Sequence, residues 1–277
     1  MAGKINRCIG WEIYRSLHNI PFDQHLITDD YTKILDGTDD IDYPHDYENF
    51  KRKIECGVDR ISVIIPCYNN AENTKYLIDK LLKQKKSYPE TEIIVIENGS
   101  TEDMFFLDQY KQNQIIVKHE QLTGASHARN VGLNLASGEF ICFIDNDDDI
   151  TDDYLHELYR TMRANNHKAD FCVIISYSDN NLIHDYSTVD LTNPIKQIWS
   201  VWQYCYNRRI IKNIRFNEQK IVAEDIDWLR RVLPENIKHP NGTISKKPLY
   251  FYKWTNNENS LSHRYNRGEI HVWKEST

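Results

Sequence analysis

The chain has 277 residues, of which 40% are hydrophobic and 27% charged, proportions that are ordinary for one globular unit with additions at its ends. Its formal net charge of −7 argues against a nucleic-acid-binding protein, because such proteins neutralise phosphates with Lys and Arg. The six cysteines show no C-x-x-C spacing, which argues against a zinc site, and we expect reduced thiols.

The first 58 residues are polar and acidic, with aspartates concentrated between Asp29 and Asp46, and we interpret them as an extension outside the folded core. From Ile61 onward, short apolar segments alternate with helical patterns. This alternation predicts a parallel sheet covered by helices on both faces. The predicted strands are 61–65, 92–96, 114–118, 140–144, 170–175 and a closing strand at 247–252, and the predicted helices are 71–86, 102–112, 126–136 and 152–164.

Polar segments follow three of these strands, at 66–70, 97–101 and 145–149. Ligands of open parallel sheets lie beyond the carboxyl ends of the strands, so these segments are candidate binding loops. The last one holds four aspartates within five positions, which would repel one another unless a cation were present. A hard divalent ion, Mn²⁺ or Mg²⁺, fits such oxygen ligands. The alternative is a solvated acidic turn that caps the next helix.

The segment 124–130 begins the helix predicted at 126–136 with small residues, and Arg129 lies one turn inside. Free backbone N–H groups at a helix N-terminus, together with an arginine, suit a phosphate group, so Arg129 is a candidate residue for binding a phosphate of the ligand. The alternative is a simple helix cap with Arg129 facing solvent.

In this order, the segments resemble family 2 glycosyltransferases of the GT-A fold. Residues 62–69 resemble that family's first strand and nucleotide loop, 97–103 and 124–138 resemble two further signatures, and 143–148 resemble its D-x-D motif. The resemblance implies an α/β fold with a GT-A (Rossmann-like), mostly parallel central sheet flanked by helices. It also implies three parts: the N-terminal extension 1–58, a nucleotide-sugar-binding half at 59–180, and an acceptor-binding half with a C-terminal tail at 181–277.

The resemblance also implies the donor site. Pro66, Tyr68 and Asn98 would line the pocket for the base, Asp145 would approach the nucleotide, and Asp147 would ligate the metal ion that bridges the two phosphates. The family often has a carboxylate where this chain has Asn98. Because an amide can both accept and donate hydrogen bonds, donors linked to UDP, dTDP or GDP all stay open.

On the acceptor side, residues 223–228 resemble the family's Glu-Asp motif, so Asp225 is the candidate catalytic base and Glu224 a candidate acceptor-binding residue. The alternative is an acidic pair that is favoured by the helix dipole. Trp202 is a candidate sugar platform, with core packing as its alternative. His263 is a candidate second metal ligand, with a surface role as its alternative.

We therefore predict a metal-dependent, inverting glycosyltransferase that moves a sugar from a nucleotide diphosphate to a hydroxyl of a glycan or lipid-linked acceptor in bacterial surface polysaccharide synthesis. We expect no nucleic-acid partner. No apolar run is long enough to span a bilayer and no signal peptide is evident, so we expect a cytoplasmic protein, with peripheral association at the inner face of the membrane left open. Two alternatives remain: a nucleotidyltransferase, which the absence of a Gly-rich basic loop at 66–70 disfavours, and a non-catalytic sugar-nucleotide or glycan-binding module.

Overall fold

A computed structural model describes residues 60–162, 169–178, 183–184, 188–233, 241–253 and 261–269. The predicted extension 1–58 lies outside this part of the chain. Among the described residues, none of the helices is both long and apolar enough to cross a membrane.

The described strands are β1 (Ile61–Cys67), β2 (Glu92–Asn98), β3 (Ile116–Glu120), β4 (Phe140–Phe143), β5 (Asp149–Ile150), β6 (Phe171–Val173), β7 (Ser176–Ser178), β8 (Ile183–His184), β9 (Tyr204–Asn207), β10 (Gly242–Ile244) and β11 (Tyr250–Tyr252). The α-helices are α1 (Ala71–Lys85), α2 (Ala125–Leu135), α3 (Tyr154–Met162), α4 (Arg208–Ile211), α5 (Glu224–Val232) and α6 (Leu261–Asn266). Three 3₁₀ helices span Phe105–Asn113, Pro194–Lys196 and Val201–Gln203.

Seven of the described strands form the main sheet, in the order β10-β6-β9-β4-β1-β2-β3. β1 runs parallel to β2 and β4, and β2 runs parallel to β3. β9 runs antiparallel to both of its neighbours, β4 and β6. The sheet is therefore mostly parallel, with one reversed strand. A second sheet has the order β5-β11-β7-β8.

The structure confirms the predicted alternation of strands and helices from β1 to α3, apart from one helix, and the strands after α3 differ from the prediction. The strand predicted at 170–175 ends at Val173, and β7 begins at Ser176. The segment predicted as a helix at 102–112 is a 3₁₀ helix that begins three residues later, at Phe105. Sequence analysis did not predict β9 as a strand, because its four residues are few and lie in an aromatic-rich segment, 199–206, that also fits core packing. Both faces of β9 are covered, and all four of its residues are buried.

The contact between β1 and α2 is unusually close at Gly132. A Cβ atom at this position would lie 2.3 Å from Cγ2 of Ile64, far inside van der Waals contact. Since glycine alone permits this approach, the side of α2 that faces the sheet is fixed against β1. The position of α2 matters because this helix carries Arg129.

Aromatic rings hold α5 against the main sheet. The Trp228 ring stacks on that of Phe216 at a centroid distance of 4.6 Å and meets the edges of Phe143 and Tyr206. Trp228 is fully buried. Contacts of this kind add to the free energy of burial, and they fix the N-terminus of α5, where Asp225 lies.

Candidate active site

The loops after β1 and β2 are joined by Asn69. Its Oδ1 atom accepts hydrogen bonds from the backbone N–H groups of Thr101 and Glu102, at 2.8 and 3.1 Å, and its own N–H donates to Oγ of Ser100. Asn69 has a φ of 55°, a left-handed conformation that asparagine tolerates better than most residues. The two loops therefore form one polar rim at the carboxyl edge of the sheet.

Alternate residues of the loop after β4 have different environments. Asn146 and Asp148 are buried, whereas Asp145 and Asp147 are partly exposed. The Asn146 amide donates to the backbone oxygen of Asn69 at 2.8 Å and thus ties this loop to the rim. The buried pair anchors the loop, and Asp145 and Asp147 are left accessible to ligands.

Tyr250 of β11 holds the same loop from the second sheet. Its hydroxyl donates to Oδ2 of Asp148 at 2.7 Å and accepts the backbone N–H of Asp145 at 3.1 Å. The backbone N–H of Lys253 donates to the other Asp148 oxygen at 2.8 Å. Burial raises the pKa of Asp148 well above its usual value, and the charges of Asp147 and Asp145 raise it further. Sequence analysis placed Tyr250 in a closing strand but gave no signal of this role.

Arg129 lies at the centre of a cluster of carboxylates. Its Nη1 atom donates to Glu224 at 3.1 Å and to Asp225 at 2.9 Å, and Nη2 donates to Asp145 at 3.0 Å. Its guanidinium group also lies over the Phe216 ring, 5.5 Å from the centroid. The side chain is only 5% exposed, so the alternative of a solvent-facing arginine is wrong. The sequence predicted these charged residues separately, and the fold brings them together.

Two neighbours of Arg129 on α2 position the chain that leads to α5. The Asn130 amide donates to the backbone oxygen of Phe216 at 3.0 Å and accepts its N–H at 2.7 Å. His127 lies between carboxylates, 3.1 Å from Glu218 and 3.4 Å from Glu120. The start of α2, which was predicted to bind a phosphate, thus also holds the segment around Phe216 and Glu218, which precedes the candidate base.

The environment of Asp225 shifts the pKa of its carboxylate towards neutrality. Its side chain is 18% exposed, and its Oδ2 atom accepts the backbone N–H of Val201 at 3.0 Å. Burial raises the pKa of Asp225 to about 7; Arg129 lowers it, while Glu224 and Asp145 raise it. A carboxylate with a pKa near neutrality can take up a proton and release it again at physiological pH.

The predicted base-binding residues lie at the ends of β1 and β2. Pro66 is buried in β1, and Tyr68 follows it with 48% of its surface exposed. Asn98 is only 3% exposed, and its Oδ1 atom has no hydrogen-bond partner among the described residues. Buried oxygens without a donor are rare in folded proteins and often mark functional positions.

The carboxylate of Glu97, the neighbour of Asn98, already forms hydrogen bonds within the protein. It accepts the backbone N–H of Ser100 at 2.6 Å, and its other oxygen lies 3.1 Å from Nδ1 of His119. Although burial opposes ionisation, these hydrogen bonds lower the pKa of Glu97 below its usual value. Glu97 therefore stabilises the loop, whereas the Oδ1 atom of Asn98 has no partner among the described residues.

The two remaining predicted residues have different outcomes. Trp202 is 5% exposed and stacks on Tyr250 and Tyr252, at centroid distances of 4.4 and 5.1 Å, which leaves it little surface for a sugar. Trp199, by contrast, is 56% exposed. His263 belongs to α6, but its side chain lies outside the part of the chain that the structure describes.

A divalent ion fits the chemistry of the loop after β4. No three His, Cys, Asp or Glu side chains of the described residues are arranged to hold a metal by themselves. Catalytic Mg²⁺ and Mn²⁺ ions, however, are often bound by one or two carboxylates together with substrate phosphates. Burial raises the pKa of Asp148 and the charges of Asp147 and Asp145 raise it further, so a cation at this loop would offset the repulsion among these carboxylates.

The large, mostly parallel sheet flanked by helices, with polar loops at the carboxyl ends of its strands, has the architecture of glycosyltransferases of the GT-A class. Similarity to known proteins then gives the family. The model described as Glycosyl transferase family 2 matches residues 62–231, more than half of the chain. The chain belongs to this family, and the predicted GT-A fold is confirmed.

Individual relatives agree with this assignment. The glycosyltransferase GlyA of Streptococcus pneumoniae serotype 4 is 27% identical over 243 residues, which cover 78% of this chain and 32% of GlyA. The minor teichoic acid biosynthesis protein GgaB of Bacillus subtilis is 24% identical over 206 residues, which cover 69% of this chain and 23% of GgaB. S. aureus TarS 1-349 in complex with UDP-GlcNAc matches with a TM-score of 0.62 and 26% identity, over 73% of this chain and 60% of TarS 1-349. The chain thus spans about a third of GlyA and less of GgaB.

Proposed function

We propose that this chain transfers a sugar from a nucleotide diphosphate to a hydroxyl group of a glycan or lipid-linked glycan, with inversion at the anomeric carbon. The observation that carries the proposal is the shared guanidinium of Arg129. It lies within 3.0 Å of both Asp145, on the donor-side loop, and Asp225, on the acceptor-side helix. Asp145, which would contact the sugar donor, and the base Asp225 are thereby held next to each other, as a direct displacement requires.

Asp225 acts as the general base in this reaction. Its carboxylate takes the proton of the acceptor hydroxyl while that oxygen attacks the anomeric carbon, and the nucleotide diphosphate leaves from the opposite face. The pKa of about 7 suits this task, because the carboxylate is ionised in most molecules above neutral pH and still binds a proton well. Glu224, the neighbour of Asp225 on α5, would orient the acceptor.

Asp147 would hold a Mn²⁺ or Mg²⁺ ion, and the bound ion would supply positive charge to the leaving diphosphate. The residues of the chain prepare the site for it. Tyr250 and Asn146 fix the loop, and the negative charge of Asp145 and Asp147 attracts a cation. His263 remains a proposed further ligand.

The donor base would lie between Tyr68 and Asn98, with Pro66 behind them. The Oδ1 atom of Asn98 can accept the imide N–H of uracil or thymine, or the ring N1–H of guanine. TarS 1-349 was solved with UDP-GlcNAc, so UDP-sugars are the first donors to test. The name of GgaB supports an acceptor from bacterial cell-surface polymer synthesis. In this proposal residues 59–180 bind the donor and 181–277 bind the acceptor.

A thermal-shift screen tests the donor site. UDP-, dTDP-, GDP- and CMP-sugars are added with and without Mn²⁺ to the wild type, Asp147→Asn and Asp149→Asn. Asp149 is a matched control, because it directly follows the same loop, as the first residue of β5, but pairs with Lys80 at 3.1 Å. A ligand that binds only the folded state raises the melting temperature.

We expect a Mn²⁺-dependent increase with one nucleotide class in the wild type and in Asp149→Asn, and its loss in Asp147→Asn. No shift with any donor would refute the donor site. Donor binding without release or transfer of sugar, in an assay with radiolabelled donor, would instead favour a non-catalytic module.

A further inference from the structure

Arg129 is poorly suited to hold a diphosphate, although a helix start with an arginine suggested that role. Three of its N–H groups are already donated to carboxylates, and its side chain is only 5% exposed. One guanidinium faces three carboxylates here. When all three are ionised the cluster has a net negative charge, which repels a diphosphate rather than attracting it.

The same contacts make Arg129 a good support for the base. Its Nη1 atom fixes Oδ1 of Asp225, and the backbone N–H of Val201 fixes Oδ2. Because both oxygens are held, the direction of the remaining lone pairs is set. Phe216 covers the guanidinium, and Phe216 is itself bonded to Asn130 on the helix that carries Arg129. The arginine is thus held by three carboxylates and covered by the Phe216 ring.

We propose that Arg129 is a positioning residue for the base: it orients the Asp225 carboxylate and joins it to the donor-side loop through Asp145, and it does not bind the donor. This inference rests on the proposed transferase activity. Asp225 has charged or titratable neighbours on four elements: Arg129 on α2, Asp145 after β4, Tyr206 on β9 and Glu224 on α5 itself. Arg129 is the only cation among these four and favours the ionised form of Asp225.

Two substitutions separate positioning from donor binding. Arg129→Lys keeps a positive charge but replaces the planar fork with a point charge that cannot hold three carboxylates in the same geometry. Arg129→Gln removes the charge. Arg215→Lys is the control, because Arg215 also contacts α2, through Asn134 at 2.8 Å, but does so on the exposed surface. The donor dissociation constant is measured by calorimetry, and kcat is measured as a function of pH.

We expect Arg129→Lys to bind the donor as the wild type does, whereas its kcat falls by about 10- to 100-fold because the base is misplaced. In Arg129→Gln the acidic limb of the pH profile should move to higher pH, since the cation that favours ionised Asp225 is gone. A donor dissociation constant weakened about tenfold or more, with kcat unchanged, would make Arg129 a donor ligand and overturn the inference.

A measurement without turnover separates this inference from the transferase proposal. The ¹³C carboxyl resonance of Asp225, assigned by its loss in Asp225→Asn, is titrated in the wild type and in both Arg129 variants. We expect a higher pKa for Asp225 in Arg129→Gln. If that variant does not fold, the resonance in Arg129→Lys should still shift, because the hydrogen bond geometry has changed. Unchanged titration and chemical shift in every folded Arg129 variant would exclude coupling between the two residues, even if the wild type transferred sugar.

Discussion

The hydroxyl of Tyr250 donates a hydrogen bond to the buried carboxylate of Asp148 at 2.7 Å. The two residues are far apart in the sequence, and their contact joins the second sheet to the loop after β4. The same hydroxyl accepts the backbone N–H of Asp145, so one oxygen atom fixes two residues of the candidate donor site. The loop geometry therefore depends on β11 as well as on β4.

We expect Tyr250→Phe to destabilise the protein and to weaken donor binding. The buried Asp148 carboxylate loses a donor, at a cost of about 1–3 kcal/mol, which corresponds to a melting temperature lower by roughly 2–10 °C. Tyr177→Phe is the control, because Tyr177 lies on β7 opposite Phe251 and leaves the loop untouched. Differential scanning calorimetry and donor titration measure both effects. Equal behaviour of the two variants would contradict this role for Tyr250.

Much of the fold is predictable because the sequence patterns of its strands and helices are local. Each of β1, β2 and β4 is a short apolar run that ends in polar residues, and parallel pairing places those ends at one edge. β9 was missed because its position depends on two neighbours distant in sequence. Its residue Cys205 lies opposite both Cys142 and Cys172, a pairing that no spacing in the sequence indicates.

The candidate site was predictable residue by residue but not as an arrangement. Asp145, Asp147 and Asp225 lie in segments that resemble family motifs, so each could be named. Arg129 was assigned to the donor phosphates because a helix start attracts anions. That expectation could not include the carboxylates of Glu224 and Asp225, which lie about a hundred residues further along the chain. They reach Arg129 because Trp228 packs α5 against the sheet.

Activity should depend on the ionisation of Asp225. Because the pKa of this residue is about 7 and the ionised form is the base, kcat should rise with pH through neutrality and level off above it. At pH 6 it should be about a tenth of the plateau. Asp225→Asn should lower kcat by about 10²- to 10⁴-fold and remove this acidic limb while donor binding persists. A wild-type limb retained in Asp225→Asn would assign it to another group.

The same residue should affect stability with a defined sign. The folded-state pKa of Asp225 is raised above its ordinary value of 3.8, so between about pH 4 and 7 the folded state holds a proton that the unfolded state has lost. This contribution stabilises the protein at low pH and is lost as the pH rises through about 7. The melting temperature of Asp225→Asn, relative to the wild type, should therefore increase across this range. A difference that is constant with pH would contradict the raised pKa.

The close contact of α2 with β1 gives a test of packing. In Gly132→Ala the new Cβ would overlap Cγ2 of Ile64, and overpacking of this kind costs about 1–3 kcal/mol. Ile64→Ala should also destabilise by leaving a cavity. In the double variant the new methyl enters space that the smaller side chain has vacated, so the loss of unfolding free energy should be less than the sum of the single losses. Additive losses in urea denaturation would show that the backbone, rather than Ile64, yields.

Specificity for the base should depend on Asn98. Its Oδ1 atom has no donor among the described residues, and an imide N–H of the donor base would supply one. Asn98→Leu should therefore weaken binding of the preferred nucleotide by about 5- to 100-fold, the cost of one buried hydrogen bond. Asn98→Asp keeps an acceptor but loses the amide donor, so it should retain uridine or thymidine nucleotides better than Asn98→Leu does.

Cytidine nucleotides provide the control for this series, because cytosine has an acceptor, N3, at the position of the imide N–H and cannot donate from there to the Asn98 oxygen. Their affinity should respond differently from that of the preferred nucleotide across Asn98→Leu and Asn98→Asp. Inorganic pyrophosphate with Mn²⁺, which has no base at all, should bind all three proteins alike. If Asn98→Leu weakened pyrophosphate as much as the nucleotide, the substitution would be acting through the shape of the loop, and Asn98 would support the site rather than read the base.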